Sequence, residues 1–150
     1  MESGAGRVSE TADAYVLEEQ VGHLLRRAHQ RATAIFMAEL GDAFDLTPTQ
    51  YAALVKLYDS GEQSQNQLGR LAAMDPATIQ GVIRRLERRR LIERTMDPAD
   101  RRRTWLRLTE AGRTLAAAAR TFGFRVSDRT LEPLGPDERT LFLSLLGRLI

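Results

Sequence analysis

The chain has 150 residues, 43% of them hydrophobic, and this length predicts a single domain. The sequence shows no signal peptide and no apolar run of about 18 residues, so we expect a soluble, cytoplasmic protein without membrane contact. It has no cysteine, only two histidines, no nucleophile–base pair and no glycine-rich cofactor loop, so we expect no metal, no cofactor and no enzymatic activity. The net charge of +2 excludes a uniformly basic protein.

The N-terminal part predicts a mobile arm followed by a long helix. Residues 1–12 are small and polar, and residues 13–150 form the single predicted domain. A helix is expected from about Asp13 to Leu40, because apolar residues recur on one broad stripe: Leu17, Val21, Leu24, Ala28, Ala32 and Ile35. A face this broad suits a helix that packs on its own domain and on a partner chain. His29 lies within the stripe, where a core histidine is favoured over a ligand-binding one.

A connection over Gly41 to Leu46 leads to a second helix. Thr47 and Gln50 have the spacing of a capping box, with Pro48 at the first helical position, and Gly61 is expected to end this helix after Ser60. Tyr51 and Tyr58, which lie on it, are more often core or interface residues than pocket residues.

The next two helices have the spacing of a helix-turn-helix. Ser64 and Gln67 again match a capping box, and Asp75 followed by Pro76 is a second start signal, three residues after the first helix ends. The second helix carries an apolar stripe on a 3.6-residue period, made of Ile79, Val82, Ile83 and Leu86.

The opposite face of this second helix predicts contact with DNA. It presents Ala77, Gly81, Arg84 and Arg88, with Thr78, Gln80 and Arg85 on its flanks. Glycine inside a helix costs roughly 1 kcal/mol relative to alanine, so Gly81 needs a reason. Small residues allow close entry into a major groove, where Thr78, Gln80 and Arg84 would reach base edges. The alternative is a solvated face with an incidental glycine.

A β-hairpin with a basic tip follows. Short β-type runs at Leu91 to Thr95 and Thr104 to Leu108 flank the turn sequence MDPADRRR. Arg101, Arg102 and Arg103, beside Asp100, would neutralise phosphates or enter a narrow minor groove. A solvated charged hairpin is the alternative, but it is less favoured after a basic helix of this kind. Helix-turn-helix and hairpin together predict a winged helix.

The distribution of charge favours the same interpretation. Residues 64–113 hold 12 basic and six acidic side chains, a net charge of +6, whereas residues 1–63 hold five and 10, a net charge of −5. A polyanion is therefore the expected partner of the winged helix.

The C-terminal part predicts two more helices. Thr109 opens one through the alanine-rich run Leu115 to Ala119, with Gly123 as a weak point and Pro133 as its end. Another begins at Gly135 and is dominated by Leu141, Phe142, Leu145, Leu146, Leu149 and Ile150. These apolar side chains would be poorly buried in a monomer. We therefore expect a homodimer in which residues 13–46 and 114–150 bury them.

At this point the chain resembles the multiple antibiotic resistance regulator (MarR) family of winged-helix transcription factors. The resemblance rests on Asp100-x-Arg102 and Leu106-x-Leu108-Thr109-x-x-Gly112, preceded by Leu86-Glu87 and Leu91-Ile92. It implies a homodimer around a winged helix at residues 47–113, with Arg102 as the minor-groove arginine and Asp100 as its support. Members usually have glycine where Arg90 stands, so a different local turn is expected here.

The predicted function is a DNA-binding transcriptional regulator, a homodimeric repressor that a small ligand releases from a double-stranded, pseudo-palindromic operator. The alternative is a winged-helix protein-interaction module without DNA binding, which predicts a neutral or acidic recognition face. The predicted DNA-binding residues are Ser64, Gln65, Gln67, Pro76, Ala77, Thr78, Gln80, Gly81, Arg84, Arg85, Asp100, Arg101, Arg102 and Arg103.

The effector is expected to be a small molecule, and an aromatic carboxylate is the candidate. The run Gln65 to Leu71, with Met74-Asp75 and Ala77 to Ile79, resembles members of the family that control breakdown of aromatic acids such as hydroxylated nicotinates. Arg26, His29 or an arginine of the fifth helix, together with Tyr51, would bind such an anion.

Overall fold

The computed structural model describes residues 15–150, so the predicted arm at residues 1–12 and the predicted helix start at Asp13 lie outside the described residues. Residues 15–150 are mainly helical with one two-stranded antiparallel sheet, which confirms the predicted fold class. None of the helices within residues 15–150 has the length and hydropathy of a membrane span. The elements are a 3-10 turn Leu17–Glu19, α1 Val21–Phe36, a π-helical turn Met37–Gly41, a helical turn Asp42–Phe44, α2 Pro48–Ser60, α3 Gln65–Leu71, α4 Pro76–Arg88, β1 Ile92–Met96, β2 Thr104–Leu108, α5 Glu110–Thr130 and α6 Pro136–Gly147.

The first helical segment continues further than the sequence predicts. After Phe36 it passes into the π-helical turn and stays helical to Phe44. The connection predicted to begin at Gly41 is therefore wrong, and the helical conformation ends only at Asp45, whose φ of 51° is left-handed. Arg89 donates hydrogen bonds to the main-chain oxygens of Phe44 and Asp45, so the end of this segment is held by the C-terminal cap of α4.

Side-chain caps start the helices of the winged helix at the predicted positions. Thr47 and Gln50 form the full capping box, with Thr47 Oγ1 accepting from the Gln50 N–H at 3.3 Å and Gln50 Oε1 accepting from the Thr47 N–H at 3.2 Å. Ser64, Asp75 and Thr109 each accept a hydrogen bond from the backbone N–H three residues on. These caps fix where each helix begins, and they confirm the predicted starts.

The core joins the end of α1 to the winged helix and α5. The predicted stripe of α4 is confirmed, because none of its four apolar residues is more than 2% exposed. The strands pair with Ile92 opposite Leu108 and Met96 opposite Thr104. Leu106 of β2 is buried and also exchanges two backbone hydrogen bonds with Gln63, at 3.1 and 2.8 Å. The hairpin is thereby fixed against the start of α3.

Helices α3 and α4 both end in a left-handed residue that is not glycine. At Arg90 the φ angle is 55°. The Arg90 N–H donates to the Glu87 carbonyl oxygen at 2.9 Å, and the Leu91 N–H donates to the Leu86 carbonyl oxygen at 3.0 Å. This pair of hydrogen bonds is the pattern of a Schellman motif. Ala73 takes the same role after α3 with φ of 53°. The expectation of a different turn at Arg90 is wrong: the arginine adopts the conformation that a glycine would favour.

We expect Arg90→Gly to stabilise the fold by about 0.5–1 kcal/mol, because glycine relieves the left-handed strain although it costs backbone entropy. Thermal unfolding of the variant would show a raised midpoint. Arg84→Gly is the matched control, since Arg84 is an exposed residue inside α4, and it should destabilise by roughly 1 kcal/mol. A lowered midpoint for Arg90→Gly would contradict the strain.

Two expectations about the long helices are corrected. His29 is exposed, so it is not a core histidine of the single chain. Helix α5 runs unbroken through Gly123, which is therefore not a weak point. A Cβ there would overlap the Tyr51 hydroxyl group, so the glycine serves to let Tyr51 approach the helix.

Large apolar side chains of α1 and α6 are uncovered. No residue of α6 is buried, and Leu141, Leu143 and Leu145 are 59%, 54% and 47% exposed. Val21, Leu24 and Leu25 at the start of α1 are exposed as well, and they border a groove with Phe142 and Leu149 of about 570 Å³.

Candidate DNA-binding surface

The outward face of α4 is open. Ala77, Gln80, Arg84 and Arg85 are exposed, as predicted from the helical period. Among residues 15–150, only the Arg85 guanidinium lies near the position of a Cβ at Gly81, at 3.8 Å, so no packing in this range requires glycine here. Because Gly81 has no side chain, the helix backbone near Arg84 and Arg85 could approach the floor of a DNA groove closely.

The N-cap of α4 restricts what Thr78 can offer. Asp75 Oδ1 accepts from the Thr78 N–H at 2.9 Å, and Oδ2 accepts from the Thr78 hydroxyl at 2.7 Å. The hydrogen bond from that hydroxyl is the main reason that the pKa of Asp75 is lowered. Because its proton is directed to Asp75, Thr78 presents an oxygen acceptor and a methyl group to a ligand. Pro76, in the same first turn, is exposed.

The first helix of the motif carries a basic residue that the sequence analysis missed. Gln67 Oε1 accepts from Arg70 Nε at 3.2 Å and from Nη2 at 2.6 Å, so its side chain is engaged with Arg70. The spacing of one turn between Gln67 and Arg70 was the available signal. Arg70 is exposed, and Gln67 holds its guanidinium group on this face.

The tip of the hairpin, which we call the wing, is organised by Asp100. Its Oδ1 accepts from the backbone N–H of Arg102 at 3.0 Å, and its Oδ2 lies 3.8 Å from Arg103 Nε. Asp100 therefore fixes the main chain at Arg102, while its ion pair is with Arg103. The predicted support of Arg102 acts through the backbone, and the Arg101, Arg102 and Arg103 side chains are all exposed.

A second carboxylate braces the base of the wing. Asp97 Oδ1 accepts from the Ala99 N–H at 2.9 Å, and Oδ2 accepts from Trp105 Nε1 at 3.2 Å. The hydrogen bond from Ala99, followed by that from Trp105, lowers the pKa of Asp97. The Asp97 N–H also donates to Arg103 O at 2.9 Å. Trp105 was not singled out in the sequence, because its role depends on a partner eight residues away.

The wing and the start of α3 face a common groove of about 350 Å³. Four predicted DNA-binding residues line it, namely Ser64, Gln65, Arg102 and Arg103, together with Asn66, Thr104 and Trp105, which were not predicted. The fold thus places residues from two distant parts of the predicted DNA-binding set beside one another. The geometry is that of a basic recognition helix flanked by a basic wing, which suits a duplex with its major and minor grooves.

The predicted effector residues are only partly brought together. Tyr51 and Arg120 of α5 line a cavity of about 370 Å³ with Phe36, Gly123, Phe124, Val126 and Ser127, which we call the effector cavity. Burial raises the pKa of Tyr51 although the Arg120 charge opposes it, so the phenol is neutral near pH 7. Arg26 and His29 are exposed on α1 and do not line this cavity.

Known proteins resemble the chain over most of its length. The MarR family profile matches residues 46–104. The HTH-type transcriptional repressor NicR of Pseudomonas putida is 41% identical over 136 residues, 91% of this chain and 85% of NicR. The crystal structure of a probable transcriptional regulator from Pseudomonas aeruginosa is 46% identical, with a TM-score of 0.84 over 90% of this chain and 100% of that one. Bordetella bronchiseptica BpsR, whose DNA binding is regulated by 6-hydroxynicotinic acid, is 41% identical, with a TM-score of 0.84 over 90% of this chain and 96% of BpsR.

Proposed function

The chain belongs to the MarR family, and we propose that this DNA-binding transcriptional regulator is a cytoplasmic, homodimeric repressor that a small aromatic anion releases from a pseudo-palindromic operator. The observation that carries the proposal is the basic surface shared by α4 and the wing. NicR, a relative over 91% of the chain, is a transcriptional repressor. The alternative, a winged helix used only for protein contact, predicts a neutral or acidic face and does not account for Arg84, Arg85 and Arg102 there.

We assign separate tasks to the residues of this surface. Arg101, Arg102 and Arg103 contact phosphates or the minor groove, and Ser64, Gln65 and Gln67 position α3 against the sugar–phosphate backbone. Gln80 and Arg84 reach base edges, because both are exposed on the outward face of α4. Asp100 contributes by fixing the backbone of Arg102.

The homodimer is the partner that the uncovered helices require. The exposed leucines of α6 and the start of α1 form a continuous apolar surface, and such a surface is rarely left in water. A second copy with the same surface covers it through a twofold axis. This arrangement gives residues 13–46 and 114–150 the role of dimerisation helices and presents two recognition helices to one duplex.

The effector is proposed to occupy the effector cavity. Arg120 lines the cavity and would provide the positive charge. Its guanidinium lies over the Tyr58 ring at 5.0 Å and pairs with Asp59 at 3.2 Å, so a ligand carboxylate would compete with Asp59 for it. The neutral Tyr51 hydroxyl would donate a hydrogen bond, and Phe36 and Phe124 provide apolar walls. Arg26 and His29, being exposed on α1, would contribute only from a partner chain. BpsR, which 6-hydroxynicotinic acid regulates, supports an aromatic carboxylate as the ligand class.

A salt titration of DNA binding tests the proposed surface. Arg102→Ala removes two contacts per dimer, so the slope of log K against log salt should become shallower by about 1.8. Gln80→Ala should leave the slope nearly unchanged and cost about 1–3 kcal/mol only on sequences where its base pair matters. Both variants are measured on operator and on random duplex DNA.

Arg125→Ala is the charge control, because Arg125 is an exposed arginine of α5 outside the winged helix, and it should change neither quantity. If Arg102→Ala leaves affinity and slope at their original values, the wing is not a DNA contact and the assignment of Arg102 fails.

A further inference from the structure

The first turn of the recognition helix α4 contains a hydroxyl group whose hydrogen-bonding direction is fixed. Thr78 Oγ1 lies 2.7 Å from Asp75 Oδ2, and the lowered pKa of Asp75 keeps this carboxylate ionised at neutral pH. An ionised carboxylate can only accept hydrogen bonds, so the hydroxyl proton of Thr78 must point toward Asp75. The other carboxylate oxygen, Oδ1, accepts from the Thr78 N–H at 2.9 Å, which holds the carboxylate in this position.

Because its proton is committed to the carboxylate, Thr78 presents an oxygen that can only accept hydrogen bonds. Within residues 15–150 this oxygen accepts none, and the side chain is half-exposed beside the outward face of α4. The other polar side chains there differ in this respect. Arg84 and Arg85 offer donors only, and the Gln80 amide offers both a donor and an acceptor. Among these four residues, Thr78 alone is restricted to accepting.

Base edges in the major groove of DNA differ in the same property. Adenine presents the N6 amino group and cytosine the N4 amino group, and both are donors. Guanine and thymine present a carbonyl oxygen, O6 or O4, at the corresponding place. An oxygen that can only accept pairs with an amino group, whereas opposite a carbonyl oxygen both acceptors lose their hydrogen bonds to water and gain none. Such an oxygen therefore discriminates amino bases from keto bases.

We propose that Asp75 determines base specificity by holding the Thr78 hydroxyl as an acceptor, so that each recognition helix selects adenine or cytosine over guanine or thymine at one position of its half-site. Asp75 is a positioning residue, since it acts through Thr78 and does not itself contact the base. The inference rests on the proposed function, because it requires α4 to lie in a major groove. Asp75 is outside the predicted DNA-binding set, where the sequence gives it only the role of a helix cap.

Asp75→Asn separates this role from helix capping. Asparagine caps a helix about as well as aspartate, and its Oδ1 can still accept from the Thr78 N–H, so the variant should fold. Its Nδ2 can only donate, so it would donate to Thr78 Oγ1 and release the hydroxyl proton toward the DNA. The hydroxyl group could then donate to guanine O6 or thymine O4. We therefore expect the variant to lose the preference for an amino base.

The experiment measures base preference as a ratio of affinities. An operator is selected from a random pool with the original protein, and each base pair of one half-site is then exchanged between A·T and G·C, so that an amino base and a keto base replace each other on the same strand. The original protein should prefer the amino base by about 10-fold at one position. The charge that Asp75→Asn removes affects both duplexes alike, so it cancels in the ratio.

Two substitutions of Thr78 are the matched variants. Thr78→Val keeps the shape and the methyl group but has no oxygen, so the ratio should fall to about 1. Thr78→Ser keeps a hydroxyl group that can donate to Asp75, so the preference of about 10-fold should be retained. Loss of the preference in Thr78→Ser as well as in Thr78→Val would assign it to the methyl group and overturn the inference.

Combining Asp75→Asn with Thr78→Val shows whether Asp75 acts through Thr78. Asp75→Asn alone should lower the ratio to about 1 or invert it, and it should change nothing further in the Thr78→Val background. A preference that survives in Asp75→Asn, or that changes equally in both backgrounds, would overturn the inference and leave the proposed function standing. A folded original protein that selects no operator would overturn the proposed function, and this inference with it.

Discussion

Replacing Gly112 by alanine is expected to destabilise the protein by about 3 kcal/mol or more, among the largest effects of any single methyl group. A Cβ at this position would overlap the Leu91 carbonyl oxygen and lie 2.8 Å from its carbon, and both atoms belong to the main chain. Neither can move freely, because the Leu91 carbonyl accepts from the Thr109 N–H at 3.0 Å while Thr109 caps α5. The junction between the wing and α5 therefore has no room for a side chain.

Chemical denaturation of Gly112→Ala should show a much lower midpoint, or no folded baseline. Gly22→Ala is the matched control, since nothing lies within 4 Å of a Cβ there and α1 gains helix propensity of up to about 1 kcal/mol. Equal stability of Gly112→Ala and the original protein would contradict the close approach of α5 to Leu91.

Leu145→Arg is expected to convert the proposed dimer to monomers and to weaken operator binding by about 100-fold or more, because a monomer loses the gain from binding two half-sites at once. Leu145 is 47% exposed in the single chain and lines the apolar groove between α6 and the start of α1. An arginine there would place a charge in the surface that two copies bury in the proposed homodimer. Light scattering should give the 16.8 kDa chain mass for the variant and twice that mass for the original protein.

Ser144→Arg is the control for this substitution. Ser144 is exposed on the polar side of α6, about 100° from Leu145 and away from the apolar stripe, so the added charge should leave the dimer intact. A dimeric Leu145→Arg variant, or a monomeric original protein, would contradict the proposed interface.

The features that the sequence predicts well are those set by local rules. The starts of α2, α3, α4 and α5 follow from cap residues whose partners lie three positions on, such as Thr47 with Gln50. The stripe of α4 follows from helical periodicity, and the hairpin follows from alternation around turn residues. In each case the residues that determine the feature lie within a few positions of it, so contacts with distant parts of the chain do not change the predicted structure.

The features that the sequence could not give depend on partners far along the chain. From the sequence alone, Gly123 predicts a weak point in the helix. In the structure, Tyr51, which lies 72 residues earlier in the chain, occupies the space where a side chain at position 123 would be. The end of the first helical segment was misplaced because Arg89, more than 40 residues later, binds its last carbonyl groups. The predicted effector residues share a suitable chemistry, but only the packed structure shows that Tyr51 lines the cavity and Arg26 does not.

Selection of bound duplexes from a random pool, followed by footprinting of the enriched sequence, tests the central claim most directly. The claim is that two copies of the winged helix bind one operator. We expect the pool to converge on a pseudo-palindrome with half-sites roughly 10 bp apart from centre to centre. Binding to it should weaken steeply as salt is raised. A folded protein that enriches no sequence, or that protects a single asymmetric half-site, would contradict the claim.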